Sequence, residues 1–369
     1  MELRDVPTPA AVVDLARVEH NCAGMAERAR ALGVSLRPHV KTHKCVEAAR
    51  LSVAGHFGGI TVSTLAEARA FAAAGFRDIT YAVPLSLARM DEAVALAAEV
   101  DRLGLLVDHA DAAIALAEAG RRHDRVVDCW LKVDCGYHRA GVIPGTSAAE
   151  QAVAAIVGRP ELAFAGLLTH AGHSYACRDR AAITEVAAEE RRVVVDFAAA
   201  LRARGIEVPA VSLGSTPTLS VAEDLTGVTE VRPGNYVFYD AFQAAIGSCR
   251  LEDAAFSVLT SVIGHHPDRL VIDAGALALS KDPGIEGETP SFGVVADLEA
   301  RPIAGLRLGA LSQEHGIIHG PPSALAERRL GERLRIIANH SCLAAACHPE
   351  LQVVRGPEVV ERWHPLRGW

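Results

Sequence analysis

Between about residues 34 and 240, eight short β-branched or apolar runs alternate with Ala-rich stretches, and no other feature constrains the chain as strongly. The runs cover 34–40, 59–63, 78–83, 102–108, 127–134, 162–169, 209–214 and 228–232. The intervening segments 65–74, 87–99, 111–119, 148–157 and 184–204 are rich in Ala, Leu, Glu and Arg at helical spacing. Eight parallel strands with crossover helices predict an α/β fold, a (β/α)8 barrel over 16–246. After Gly247 the pattern becomes short strand-like runs (255–264, 270–274, 293–297, 310–312, 333–337 and 353–355) between Gly- and Pro-rich turns. A second, mostly β domain is expected there, joined by the strand-like opening run, so that it spans 1–15 and 247–369. A chain of 369 residues is long enough for both cores.

The polar residues collect where a barrel of this kind does its chemistry, at the C-terminal ends of the strands. The first strand ends Pro38-His39-Val40-Lys41-Thr42-His43-Lys44, the fifth Asp134-Cys135-Gly136-Tyr137-His138-Arg139 and the sixth His170-Ala171-Gly172-His173-Ser174-Tyr175. The seventh and eighth end Gly214-Ser215-Thr216-Pro217-Thr218 and Arg232-Pro233-Gly234-Asn235-Tyr236. The last two loops are where such barrels bind phosphate, because Gly permits close backbone approach and N–H groups and hydroxyls solvate the anion. Local chemistry leaves two readings of Lys41 open: an amine in the barrel mouth made nucleophilic by partial burial, or a solvated loop lysine beside Lys44.

Together these motifs resemble the fold-type III, alanine-racemase-like enzymes that use pyridoxal 5'-phosphate (PLP), among them D-threonine aldolase and eukaryotic-type D-serine dehydratase. The resemblance continues in order through Ser312-Gln313-Glu314-His315-Gly316 and Asn339-His340-Ser341-Cys342. It implies that Lys41 holds the cofactor covalently, that Arg139 contacts its pyridine ring and that Tyr175 lines the ring and substrate pocket. It also implies that Gly214, Ser215 and Thr216, with Gly234, Asn235 and Tyr236, hold the phosphate. An Arg beside the ring does not favour a protonated pyridine nitrogen, so the ring is a restrained electron sink.

The resemblance places a divalent metal on His340 and Cys342. If this segment is a strand, residues two apart face the same side and can share an ion. Imidazole with thiolate favours zinc, with manganese the other candidate, and two protein ligands leave positions open for water and substrate. Cys347 and His348 lie close by and read as structural. A Cys rather than an Asp in the pair is more like the dehydratase than the aldolase.

The implied activity is a PLP-dependent lyase on D-β-hydroxy amino acids, D-serine dehydration to pyruvate and ammonia first. In that reaction Lys41 takes the Cα proton. The competing reading is retro-aldol cleavage of a D-threonine-like substrate to glycine and an aldehyde, with His170, His315 or a metal-bound water as base. A non-catalytic PLP-binding protein would need only the barrel, and a PLP-free metal hydrolase would give Lys41 no role.

A formal net charge of -8 and the lack of a basic, aromatic-interleaved run argue against a nucleic-acid partner. The acidic opening Met1–Asp5 has neither a signal-peptide nor a transit pattern, and no run is apolar enough to span a bilayer. A cytoplasmic homodimer acting on a small-molecule D-amino acid, with its eight scattered cysteines mostly reduced, is the expectation.

Overall fold

The computed structural model describes residues 1–284 and 291–369. The chain forms two compact units, one of 25–41, 52–234 and 366–369, the other of 1–24, 42–51 and 235–365.

The first unit contains the eight expected strands, shortened at their edges: Ser35–Leu36, Ile60–Val62, Asp78–Pro84, Arg102–Val107, Val127–Lys132, Leu162–Leu168, Ala210–Leu213 and Glu230–Val231. All pair in parallel, and a bridge between His39 and Thr61 joins the two strands that would otherwise be edges. Helices Leu65–Ala73, Ala110–Arg122, Ser147–Val157 and Arg180–Ala203 follow the second, fourth, fifth and sixth of these strands as crossover connections. Thr64, His109, Thr146 and Asp179 cap them, each side chain accepting a first-turn N–H.

The interior of the barrel is partly polar. Arg37, 2% exposed, donates to Asp78 at 2.7 Å and Glu230 at 2.8 Å beneath the ring of Phe57. Gly104 leaves room for Trp130, whose Nε1 would lie 2.5 Å from a β-carbon there.

In the second unit, Ala10–Asp14 is a central strand, antiparallel to Phe256–His266 and parallel to Leu351–Arg355. Val12, Leu259 and Val354 pack together at its heart. The segment after Gly234 bonds within the second unit. Ala241 N–H donates to Ala338 at 3.0 Å and Phe242 N–H to Asn339 at 3.3 Å.

Sequence reasoning did not anticipate helices Leu15–Ala31 and Val46–Val53, or strands Gly316–His319 and Glu358–Trp363. No described helix is long and apolar enough to cross a membrane.

Candidate active site

The first barrel strand stops at Leu36, so Lys41 sits not on a strand but in the single 3-10 turn Val40–Thr42, and its side chain is exposed rather than partly buried. Its charge nevertheless acts on His170, which follows the strand Leu162–Leu168. Burial, and then the charges of Lys41, Lys132, Arg139 and Arg232, hold the His170 imidazole well below its ordinary value. His170 is therefore neutral at neutral pH.

Two of those cations were not singled out from the sequence. Lys132 ends the strand Val127–Lys132 and is 5% exposed; burial, reinforced by Arg232, pushes its amine down to about 7. Arg232, equally buried, is pushed down to about 10 by burial and donates to Ser212 Oγ and the Thr169 carbonyl. Ser212 in turn donates to Glu230 at 2.6 Å.

Arg139 is exposed and lies over the ring of Tyr137, 4.9 Å from its centroid. That ring also meets His170 and His173, with centroids 6.4 and 6.0 Å away. It rests on Gly172, where a β-carbon would come within 2.2 Å of it. Asp134 shapes the loop below, accepting the N–H groups of Gly136 at 2.9 Å and His138 at 3.0 Å. Tyr175 is half-buried in the turn Gly172–Ala176.

Gly214, Ser215 and Thr216 are buried, and Gly214 has φ +102°, a conformation that favours glycine. Ser215 and Thr218 cap each other reciprocally, and Ser215 Oγ lies 3.1 Å from Ser174 Oγ. At Gly234 a β-carbon would lie 2.7 Å from the His39 carbonyl oxygen, so only glycine fits. A glycine-opened turn with hydroxyls, in a unit that gathers Lys41, Lys132, Arg139 and Arg232 around one imidazole, fits an anionic, phosphorylated cofactor.

In the second unit, His340 and Cys342 converge by a route other than the strand considered from sequence. The strand Arg333–Ile337 has already ended, and His340 is the extended N-cap (φ -133°) of the short helix Ser341–Ala346, with Cys342 in its first turn. The helical turn, rather than pleat alternation, brings the two side chains together.

Burial opposes the charge on His340, but its hydrogen bond to Cys342, that group's charge and the carboxylates of Asp240 and Asp282 outweigh it and raise the imidazole to about 9. Asp282 stands 3.7 Å from His340 Nδ1. An anionic field around an imidazole and a thiol suits a divalent cation, so the donor set fits a metal. Among the described residues no group of three His, Cys, Asp or Glu side chains is placed to hold one.

Asp240 holds the turn in place, accepting from Ser341 N–H at 3.0 Å and from Asn235 Nδ2 at 2.8 Å. Asn235 Nδ2 also approaches Cys342 Sγ at 3.6 Å, so its side chain serves this turn rather than the barrel loops. Cys342 Sγ contacts Thr42 Oγ1 at 3.3 Å. Tyr236 is fully buried. His315 is exposed in the turn between Arg307–Leu311 and Gly316–His319. His348 bonds the Ala278 carbonyl at 2.8 Å, and Cys347 is exposed.

Known families and proteins match the chain over most or all of its length. Residues 13–241 match the family model "Alanine racemase, N-terminal domain", and 255–354 match "Putative serine dehydratase domain". The chain is 42% identical to D-threo-3-hydroxyaspartate dehydratase of Delftia sp. over 100% of this chain and 99% of that one. It is 35% identical to D-serine dehydratase of Dictyostelium discoideum, covering 100% and 98%. D-threonine aldolase of Arthrobacter sp. is 30% identical, covering 98% and 92%.

The solved Delftia dehydratase superposes with a TM-score of 0.94 at 41% identity, with both chains fully covered. A Cys→Ala variant of a D-threo-3-hydroxyaspartate dehydratase, solved in the metal-free form, gives 0.95 at 40% identity, again covering both chains fully. The chain belongs to the alanine-racemase-like, PLP-dependent family that contains D-serine dehydratase, D-threo-3-hydroxyaspartate dehydratase and D-threonine aldolase.

Proposed function

We propose that the protein is a PLP- and zinc-dependent dehydratase of D-β-hydroxy amino acids, converting D-serine to pyruvate and ammonia, or a β-carboxylated analogue such as D-threo-3-hydroxyaspartate to the corresponding keto acid. The observation that carries this reading is the His340–Cys342 pair in its anionic turn. It is supported by the metal-free Cys→Ala variant of the related dehydratase.

PLP supplies an aldehyde that takes up the substrate amine and a ring that spreads the negative charge developing at Cα. Bound zinc supplies a Lewis acid that makes a hydroxyl a better leaving group. Lys41 holds the cofactor and, once displaced, accepts the Cα proton at Nζ. Arg139 faces the ring from its seat on Tyr137. The turn 214–216 and the main chain of 234–236 would grip the phosphate, and Tyr175 would line the pocket beside the ring. A homodimer, on the family resemblance, and a cytoplasmic location, on the N-terminal sequence, are part of this reading.

A second reading, retro-aldol cleavage, takes His170, the imidazole set among Lys41, Lys132, Arg139 and Arg232, as the acceptor of the β-hydroxyl proton. Purified holoenzyme given D-serine, D-threo-3-hydroxyaspartate and D-threonine separates the two. Keto acid and ammonia in equal amounts, formed more slowly from Cα-deuterated substrate, are the expected result. Glycine as the main product, or no turnover by PLP-loaded protein, would overturn the dehydratase reading.

A further inference from the structure

Glu190 lies mid-helix in Arg180–Ala203, within the charged run Glu189-Glu190-Arg191-Arg192, yet its exposure is 0%. One of its oxygens, Oε1, accepts the Ala171 N–H at 2.7 Å and the Gly214 N–H at 3.2 Å. Ala171 belongs to the loop that carries His170 and Tyr175, and Gly214 opens the turn of Ser215 and Thr216. Both amides lie beyond the ends of their strands, outside the ladder. The other oxygen, Oε2, is buried with no hydrogen-bond partner among the described residues, and the Glu190 charge acts on Lys132 and Arg232. A carboxylate taken out of water costs stability unless its partners compensate, so an apolar side chain would be the cheaper filling here. A Leu, however, would leave both amides unpaired.

We propose that Glu190 is a positioning residue, a clasp whose single oxygen sets the spacing between the loop of His170 and Tyr175 and the phosphate turn. The Ser174–Ser215 hydroxyl contact at 3.1 Å ties the same two loops a second time. The clasp rests on the reading of 214–216 as phosphate ligands, and it holds both loops in register independently of the cofactor.

Hydrogen exchange on the wild-type holoenzyme tests it first: the Ala171 and Gly214 amides exchange as slowly as strand amides, and exchange at loop rates would overturn the clasp. Glu190→Gln keeps the accepting oxygen and removes the charge, whereas Glu190→Ala removes both. With holoenzyme dialysed against graded PLP, Glu190→Ala weakens cofactor binding roughly ten- to a hundredfold, and Glu190→Gln stays within about threefold of wild type. Both amides exchange faster in the Ala variant alone. A Gln variant as weak as the Ala variant, or an Ala variant that binds as wild type does, defeats the proposal. If the Ala variant does not fold, the wild-type and Gln measurements decide. Wild-type protein that takes up no PLP would instead remove the functional reading, and the exchange rates would still judge the clasp.

Discussion

Two histidines in this molecule are displaced in opposite directions, and the contrast shows how neighbouring charges set the state of an imidazole. In the barrel, burial and four cations act together on His170 and drive it down. In the second unit, burial also disfavours charge on His340, but Cys342, Asp240 and Asp282 overrule it and lift the ring to about 9. Desolvation has the same sign at both places, so the neighbours decide. A field of cations favours an anion, and a field of carboxylates and a thiol favours a cation.

The comparison breaks most sharply at its two anchors. On the proposed reading, in which Lys41 is both tether and base, Lys41→Ala lowers turnover by roughly three orders of magnitude or more. On that reading, the absorbance band of the bound cofactor disappears with it. Cys342→Ala removes the soft half of the cation site: metal per chain, read by elemental analysis, falls towards zero, and activity drops roughly a hundredfold or more. Loss of metal with an intact cofactor band would show the two fields to be separable, whereas unchanged metal content would refute the cation site.

Lys132 sharpens the electrostatic half. Its folded pKa, about 7, lies below the ordinary lysine value of 10.5, so above pH 7 the unfolded chain holds more protons on this residue than the fold does. Stability of cofactor-free protein should therefore rise with pH from 7 to 9, by at most about 1.4 kcal/mol per unit from this group. Lys132→Met flattens that rise, as denaturant titrations at pH 7, 8 and 9 would show. Below pH 7 the full cost of charging the buried amine is present, and there the Met variant gains most over the wild type.

The smallest effect belongs to Thr42, whose hydroxyl touches Cys342 Sγ. Thr42→Val weakens metal binding by about tenfold or less, at the lower end for outer partners of a ligand. A Thr42→Ser variant restores it.

Much of this was legible before any coordinates. All eight barrel strands lie within the runs picked out by apolar texture, give or take a residue at the edges, because parallel strands are buried on both faces and read as continuous apolar segments. Helix Leu15–Ala31 escaped because its polar, Arg- and Glu-bearing face dilutes the pattern, and Glu358–Trp363 because an exposed edge strand needs little apolar content. The pair at 340 and 342 was named through resemblance alone, and its convergence depends on a helix start that spacing does not reveal. Lys132 and Glu190 were invisible for another reason. Leu-Lys-Val-Asp reads as a strand with a solvated lysine, and Glu-Glu-Arg-Arg as an exposed helix face. Whether a charge is dry depends on what packs over it from distant parts of the chain.

Gly172 carries a last consequence. The Tyr137 ring lies where a side chain at 172 would begin, and Arg139 rides on that ring. The guanidinium is thus seated by a missing methyl group, two steps removed from anything it touches. Introducing alanine at 172 would tip the platform without altering one charged atom, and the disturbance would surface in the electronic properties of whatever Arg139 faces before it surfaced in folding.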